Sequence, residues 1–199
     1  EIPDGTGLGS SGSFGVGIMH ILRPAVSKET LASDATYIQM NILDRPIGLQ
    51  DQYIAAYGGI KMFEVNKNGD VNITSFDYLK QLENYLVLFW TGFRRKADDI
   101  LKTQVEKSNE EEMILALRKT QKIGFEIKNA LLKGNFRKFG ELMNEHWEYK
   151  KKRSPEMTNS EIDTMYELAL NNGAVGGKLV GAGGGGFLMF YTEDKEKLI

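Results

Sequence analysis

The spacing of apolar residues in the first part of the chain predicts helices together with strands. Residues 13–22 and 27–42 place apolar side chains at helical spacing, and each segment is followed by a proline that would stop a helix. Residues 60–65 and 71–74 alternate in polarity around an Asn-Gly pair, which is typical of a β-hairpin. We therefore expect a mixed α and β arrangement here.

The pattern then becomes helical. Ser108 and Glu111 match a capping box, and they precede a long amphipathic segment that ends at Gly134. Two further helices are predicted over residues 136–151 and 161–170. The chain therefore has a second part that is dominated by helices.

Three short apolar segments predict strands in the second part of the chain. Residues 85–90 precede the helical region, and residues 178–180 and 187–191 follow it. The last two segments flank a run of glycines. A strand, a glycine loop and a strand should therefore end the sequence.

Composition narrows the classes of partner. The sequence has 25 Lys and Arg against 27 Asp and Glu, a formal net charge of -2, so nothing favours nucleic acid or an anionic membrane surface. It has no cysteine, which excludes disulfides and thiolate catalysis. No apolar stretch approaches the ~20 residues that cross a bilayer, and the first residues do not resemble a signal peptide. We expect a soluble, cytoplasmic protein.

Glycine is the outlier of the composition, with 22 residues among 199. Six glycines lie within residues 5–17 and eight within residues 173–186. The first run contains serines and leads directly into an apolar helix. Free N–H groups at a helix start, next to hydroxyl groups, favour an anion such as phosphate.

Three other interpretations of this glycine loop are a dinucleotide-binding fingerprint, a P-loop and a turn that binds no ligand. Gly7 to Gly12 has the spacing of a dinucleotide-binding fingerprint, but no hydrophobic strand precedes it. Ser13 stands where a P-loop requires lysine, which excludes an ordinary P-loop. A glycine-rich turn without a ligand remains an alternative.

Basic and histidine residues elsewhere have simpler interpretations. The run from Lys150 to Arg153 ends a predicted helix, where a solvated basic cluster suits the helix dipole. His20 and His146 are far apart in sequence and are expected to be packed or surface residues. None of these residues is predicted to take part in the chemistry.

Three motifs in order resemble the GHMP small-molecule kinases. They are the glycine-rich segment from Pro3 to Ser11 at a helix start, the Asp51-Gln52-Tyr53 segment, and the Gly181 to Gly186 run. Residues 45–59 and 176–182 are similar to the D-glycero-D-manno-heptose 7-phosphate kinase branch of that family, with the L-fucokinase and galactokinase branches as near relatives. The resemblance begins at the family's second motif, so the first motif is expected to lie outside this sequence.

The resemblance implies an α+β fold of the GHMP kinase type. It implies a partial S5-like α/β N-terminal domain that binds ATP, over residues 1–85. It also implies a ferredoxin-like α+β C-terminal domain over residues 86–199.

The resemblance further implies an ATP-dependent kinase that transfers the γ-phosphoryl group to a sugar hydroxyl, with Mg²⁺ as a second cofactor and a sugar or sugar phosphate as the small-molecule partner. Asp51 would be the catalytic aspartate that accepts or orients the proton of the attacking hydroxyl. Ser11 and Gln39 would contact Mg²⁺. The sugar would be held near Gln52, Gly184 and Gly185. The ATP phosphates would lie against Gly7, Leu8, Gly9, Ser10, Ser11, Gly12 and Ser13.

Departures from the family pattern leave a second hypothesis open. The resemblance implies a glutamate at the position of Gln39, a lysine at Leu49 and a serine at Gly12. A neutral amide binds Mg²⁺ less well than a carboxylate. A non-catalytic or truncated nucleotide- or sugar-binding relative, or a kinase closer to the L-fucokinases or galactokinases, is therefore the alternative. A homodimer is also kept as an expected assembly.

Overall fold

The described residues form two compact units. The computed structural model describes residues 5–94, 97–107 and 109–199, with only the backbone of residues 97–99. The first unit contains Gly9–Tyr78, and the second contains Gly5–Leu8 together with Leu79–Ile199. The division therefore runs through the first glycine loop. The domain boundary after residue 85 stays a prediction.

The first unit consists of three helices and a hairpin. The strands are antiparallel, with Val65 opposite Val71, and the helix α2 continues into a short π-helical turn at Ile38–Ile42. The elements are α1 (Ser10–Leu22), α2 (Lys28–Tyr37), α3 (Gln50–Tyr57), β1 (Lys61–Val65) and β2 (Val71–Ser75). A small core holds the helices together through Val16, Met19, Leu31 and Ala35.

The second unit places helices around an antiparallel sheet with the strand order β3-β5-β4. Short 3₁₀ turns at Lys80–Tyr85 and Pro155–Met157 connect some of its elements. The helices and strands are β3 (Leu86–Trp90), α4 (Ala97–Glu106), α5 (Glu111–Leu132), α6 (Phe136–Lys151), α7 (Ser160–Asn171), β4 (Ala174–Leu179), β5 (Phe187–Thr192) and α8 (Lys195–Leu198).

The core of the second unit lies between the sheet and its helices. Leu179, Leu188 and Phe190 from the strands are fully buried against Trp147 and Ile162 from α6 and α7. Burial of a large apolar side chain stabilises the fold by about 1.5–3 kcal/mol. The loop between β4 and β5 is thus anchored at both ends in this core.

Most predicted elements are confirmed, with differences at their ends. The helix predicted from residue 13 begins at Ser10, and the strand predicted at 178–180 begins at Ala174. That strand was predicted too short because Gly176 and Gly177 weaken its apolar pattern. A Cβ on Gly176 would lie 2.9 Å from the Cβ of Asn144, so glycine lets β4 approach α6 closely. The Ser108 capping box lies outside the described residues.

The described helices carry no membrane signal. None of them combines the length and the apolar character that crossing a bilayer needs.

Candidate active site

The helix α1 begins with its amide groups open. Gly9 precedes it with φ of +71°, a conformation that favours glycine, and among the described side chains none caps the first turn. The next helix differs, because the Ser27 hydroxyl accepts a hydrogen bond from the Thr30 amide at 3.1 Å. The first amides of a helix have no intrahelical acceptor. The start of α1 therefore suits an anion.

Asp51 lies directly against this turn. It stands in the first turn of α3, and a Cβ on Gly12 would be 2.8 Å from the Asp51 Cβ and from its carbonyl carbon. A Cβ on Gly9 would be 3.6 Å from the Asp51 Cγ. Gly12 thus permits a close approach that any side chain would block, and the carboxylate faces Gly9 at the start of α1.

The Asp51 side chain is accessible to solvent, but the surrounding protein removes part of its hydration. This desolvation raises the pKa of Asp51 above the ordinary value of an aspartate. A raised pKa makes a carboxylate a better proton acceptor in general-base chemistry. The catalytic role expected for Asp51 stays a prediction.

Ser11 and Gln39, the residues predicted to contact Mg²⁺, are brought together. The Ser11 hydroxyl donates to Gln39 Oε1 at 3.3 Å, and Gln39 Nε2 donates to the Ser11 carbonyl oxygen at 3.1 Å. Arg45 Nη1 also donates to the Ser11 hydroxyl oxygen, at 2.7 Å. Arg45 is not among the site residues that the sequence predicts, because an arginine before a proline in a loop gives no signal of its own.

This arrangement is a poor fit for a divalent cation as it stands. Mg²⁺ prefers carboxylate oxygens, waters and substrate phosphates. Among the described residues, no group of three or more His, Cys, Asp or Glu side chains could hold a metal ion. The Arg45 guanidinium lies 2.7 Å from the Ser11 hydroxyl oxygen, and this positive charge opposes a second cation at the same oxygen.

Gln52 is 1% exposed, and its amide is used inside the first unit. The side-chain amides of Gln52 and Gln39 lie 2.9 Å apart. With its amide turned over, the Gln52 nitrogen would reach the carbonyl oxygens of Gly48 at 3.1 Å and Leu49 at 3.2 Å. Gln52 therefore supports the loop that leads to Asp51, and its predicted contact with the sugar stays a prediction.

The second unit holds the remaining residues of the predicted site, namely Gly7, Leu8, Gly184 and Gly185. Gly7 touches the β4–β5 loop, since a Cβ placed on it would be 2.8 Å from the Val180 carbonyl oxygen. Gly184 and Gly185 are buried, and the Gly184 amide donates to the Met157 carbonyl oxygen at 2.9 Å. Their predicted roles toward phosphate and sugar stay predictions.

The basic run at the end of α6 differs from the solvated cluster that was predicted. Lys150 is only 5% exposed, and Arg153 Nη2 donates to the Thr120 hydroxyl at 2.6 Å. The prediction fails for Lys150 because the helix turns this side chain toward the end of β4. The neighbouring His146 is half-buried, and burial, followed by the charges of Lys178 and Arg153, lowers its pKa to about 2.

Comparison with known proteins defines the class. The family description "GHMP kinases N terminal domain" matches residues 1–59, and "GHMP kinases C terminal" matches residues 127–199. The chain belongs to the GHMP kinase family, and the predicted α+β GHMP kinase fold is confirmed.

Several of the relatives that the chain matches are named as sugar kinases. The D-glycero-alpha-D-manno-heptose 7-phosphate kinase of Campylobacter jejuni is 30% identical over 205 residues, which cover 99% of this chain and 60% of that protein. The galactokinase of Pyrococcus furiosus is 25% identical over 239 residues, covering 100% of this chain and 64% of that protein. The chain therefore spans less than two thirds of the length of these relatives.

Solved structures agree on the fold. A D-glycero-D-manno-heptose 1-phosphate kinase from Bacteroides thetaiotaomicron matches with a TM-score of 0.68 and 28% identity, over 98% of this chain and 56% of that one. The Lactococcus lactis galactokinase complexed with galactose matches with a TM-score of 0.75 over 96% of this chain and 59% of that one, and its 21% identity shows the fold alone.

Proposed function

We propose that this chain carries the phosphoryl-transfer site of an ATP-dependent sugar kinase whose acceptor is D-glycero-D-manno-heptose 7-phosphate. One observation carries the proposal: Asp51 lies against the uncapped first turn of α1. Phosphoryl transfer needs N–H groups around the phosphates and one group that aligns the attacking hydroxyl. The first unit brings the start of α1 and Asp51 into contact, although they are far apart in the sequence.

In the proposed reaction the amides at the start of α1 hold the phosphates of ATP. The sugar hydroxyl attacks the γ-phosphorus, the bond from that phosphorus to the β–γ bridging oxygen breaks, and ADP leaves. Asp51 accepts the hydroxyl proton. Each N–H bond to a charged oxygen contributes about 1.5–3 kcal/mol, which exceeds the ~0.3–1 kcal/mol of the helix dipole.

ATP and Mg²⁺ are the two cofactors of the proposed reaction. ATP is the phosphoryl donor, and Gly7 and Leu8 extend the proposed phosphate contacts in the second unit. A bound Mg²⁺ would neutralise phosphate charge, and Ser11 and Gln39 remain its proposed contacts. Since these two residues fit the ion poorly, the reaction proposed here relies on the amides and Asp51 alone.

The acceptor is inferred from relatives. Proteins named as heptose 7-phosphate and heptose 1-phosphate kinases match nearly the whole chain at 30% and 28% identity. The protein is expected to bind small molecules in the cytoplasm and to form a homodimer, with the division into two kinase domains after residue 85. These points are part of the proposal.

A second function is favoured by the Ser11 environment. Gln39 offers no negative charge to a metal ion, and Arg45 already binds the Ser11 hydroxyl. A relative that binds nucleotide or sugar without turnover would keep the fold and tolerate such a loss. The two functions differ in whether ADP is produced.

The experiment compares Asp51→Asn with the wild-type chain. The chain is incubated with ATP, Mg²⁺ and heptose 7-phosphate, L-fucose or galactose, and ADP is measured. We expect turnover with the heptose, and about a 10²–10⁴-fold loss in Asp51→Asn with ATP affinity retained. Asp34→Asn is the matched control, because this half-buried carboxylate of α2 pairs with Arg23 in the same unit and has no part in the proposed site. Full turnover by Asp51→Asn would remove Asp51 from the mechanism, and ATP binding without ADP would favour the second function.

A further inference from the structure

Lys150 is a buried cationic residue that the proposed reaction does not use. It lies in the last turn of α6, and its Nζ donates to the carbonyl oxygens of Leu179 at 2.9 Å and Gly181 at 2.6 Å. Removing an amine from water is costly unless hydrogen bonds replace the water. The two hydrogen bonds therefore compensate for the water that Lys150 loses on burial.

The two carbonyl groups belong to the start of the second glycine loop. Leu179 ends β4, and Gly181 follows after one residue with φ of +73°. One ammonium group thus fixes both sides of the turn by which the chain leaves the sheet. The Trp147 ring, one helical turn earlier, lies 6.0 Å from the Lys150 Nζ and borders the same site.

The fixed turn in turn supports the first glycine loop. A Cβ on Gly181 would lie 2.7 Å from the Gly7 Cα, and one on Gly186 would overlap the Thr6 carbonyl oxygen. Backbone therefore packs on backbone between the two loops. Because these two backbones are in contact, a displacement of Gly181 would also displace Gly7.

The electrostatic surroundings agree with a hydrogen-bonding role. Burial, followed by the positive charges of Lys178 and Arg153, lowers the pKa of Lys150 well below that of an ordinary lysine. A neutral amine still has two N–H groups, and two carbonyl oxygens accept from this one. The contact is therefore satisfied in either protonation state.

We propose that Lys150 is a positioning residue for the phosphate site: it holds the turn at Leu179 and Gly181, and through the contact with Gly7 it fixes the amides of Gly5–Leu8. The inference rests on the proposed function in one respect, because that function gives these amides a nucleotide phosphate to bind. The positioning itself is a property of the second unit alone.

The test compares Lys150→Met with Lys151→Met. Methionine keeps the length and apolar stem of lysine but donates no hydrogen bond. Lys151 is a close control, because its Nζ lies 5.9 Å from the same Trp147 ring and pairs with Glu148 instead of the loop. Hydrogen exchange without nucleotide is the first measurement, and ATP affinity is the second.

Three loop amides make the exchange measurable, because each is hydrogen-bonded. Val180 donates to Phe187, Gly184 to Met157 and Gly186 to Phe93, each at 2.9 Å. Lys150→Met should speed their exchange about tenfold or more, while the amides of α5 and the Lys151→Met chain change less than about twofold. ATP affinity should fall about tenfold in Lys150→Met alone.

The outcomes separate the two hypotheses. Unchanged exchange of the loop amides overturns the positioning role, even if ATP binding weakens. Faster exchange in a chain whose wild type binds no ATP supports the positioning and contradicts the proposed function. Should Lys150→Met lack a cooperative melt, Lys150→Arg replaces it: this variant keeps donors on a long side chain, but its larger head group changes the geometry of the two hydrogen bonds, so exchange should be more than about twofold and less than about tenfold faster than in wild type. Exchange equal to that of Lys151→Met would overturn the proposal.

Discussion

Two glycines of α1 give opposite predictions for the same substitution. A Cβ on Gly12 would lie 2.8 Å from the Asp51 Cβ, whereas a Cβ on Gly17 would meet nothing within 4 Å. Both residues lie within the helix, at φ values that alanine can adopt. The pair therefore isolates the contact between α1 and Asp51 from the general effect of alanine on a helix.

The magnitudes follow from the surroundings. Alanine is favoured over glycine in a helix interior by about 0.8–1.0 kcal/mol, so Gly17→Ala should stabilise α1 by close to that amount. At Gly12 the new methyl overlaps backbone as well as side-chain atoms, and overpacking of this kind costs about 1–3 kcal/mol. After the helix gain is subtracted, we expect Gly12→Ala to lose up to about 2 kcal/mol in net stability and to move Asp51 away from the helix start.

Hydrogen exchange of the α1 and α3 amides is the appropriate assay, because both tryptophans, Trp90 and Trp147, lie in the second unit and cannot report on the first. Gly12→Ala should speed exchange in both helices and weaken ATP binding. Gly17→Ala should slow exchange in α1 and leave ATP binding unchanged. Equal effects of the two substitutions would refute the close packing of Asp51 on α1.

Two further predictions concern charge. Gln39→Glu places a carboxylate beside Ser11, which should strengthen Mg²⁺ binding. The ratio of the ATP affinity in Mg²⁺ to that in EDTA should therefore be larger in Gln39→Glu than in wild type. An unchanged ratio would contradict the predicted metal role. His146 has a folded-state pKa of about 2 against an ordinary 6.5, so the unfolded chain binds the extra proton as the pH falls below 6.5 and the free energy of unfolding drops. By urea unfolding with tryptophan fluorescence, His146→Gln should lose about 2 kcal/mol less stability than wild type between pH 8 and pH 5. The same loss in both chains would show that His146 takes up a proton in the fold as readily as in the unfolded chain.

The sequence predicts the elements of this fold well where periodicity is strong. The hairpin and the long helices α5, α6 and α7 agree with their apolar spacing and turn residues. The strand β4 was underestimated because Gly176 and Gly177 give it no apolar alternation. Its conformation depends on close contact with α6, which no local pattern encodes.

The candidate site likewise contains some contacts that the sequence predicts and others that it does not. The pairing of the glycine loop with Asp51 could be anticipated from motifs, and the contact with Gly12 supplies the physical reason for that glycine. The contacts of Arg45 and Lys150 could not be anticipated from the sequence. Both depend on which long side chains the tertiary structure turns inward. A basic residue at a helix end is usually solvated. Only the burial of Lys150 reveals its role.

The most direct measurement on the paired loop and carboxylate is a nuclear magnetic resonance titration of the ¹⁵N-labelled chain with Mg²⁺-ATP. The largest shifts are expected at the amides of residues 9–13, with a further change at Asp51, and Gly12→Ala should diminish both. Binding that leaves residues 9–13 and Asp51 unshifted, or no binding at all, would contradict the phosphate site at the start of α1.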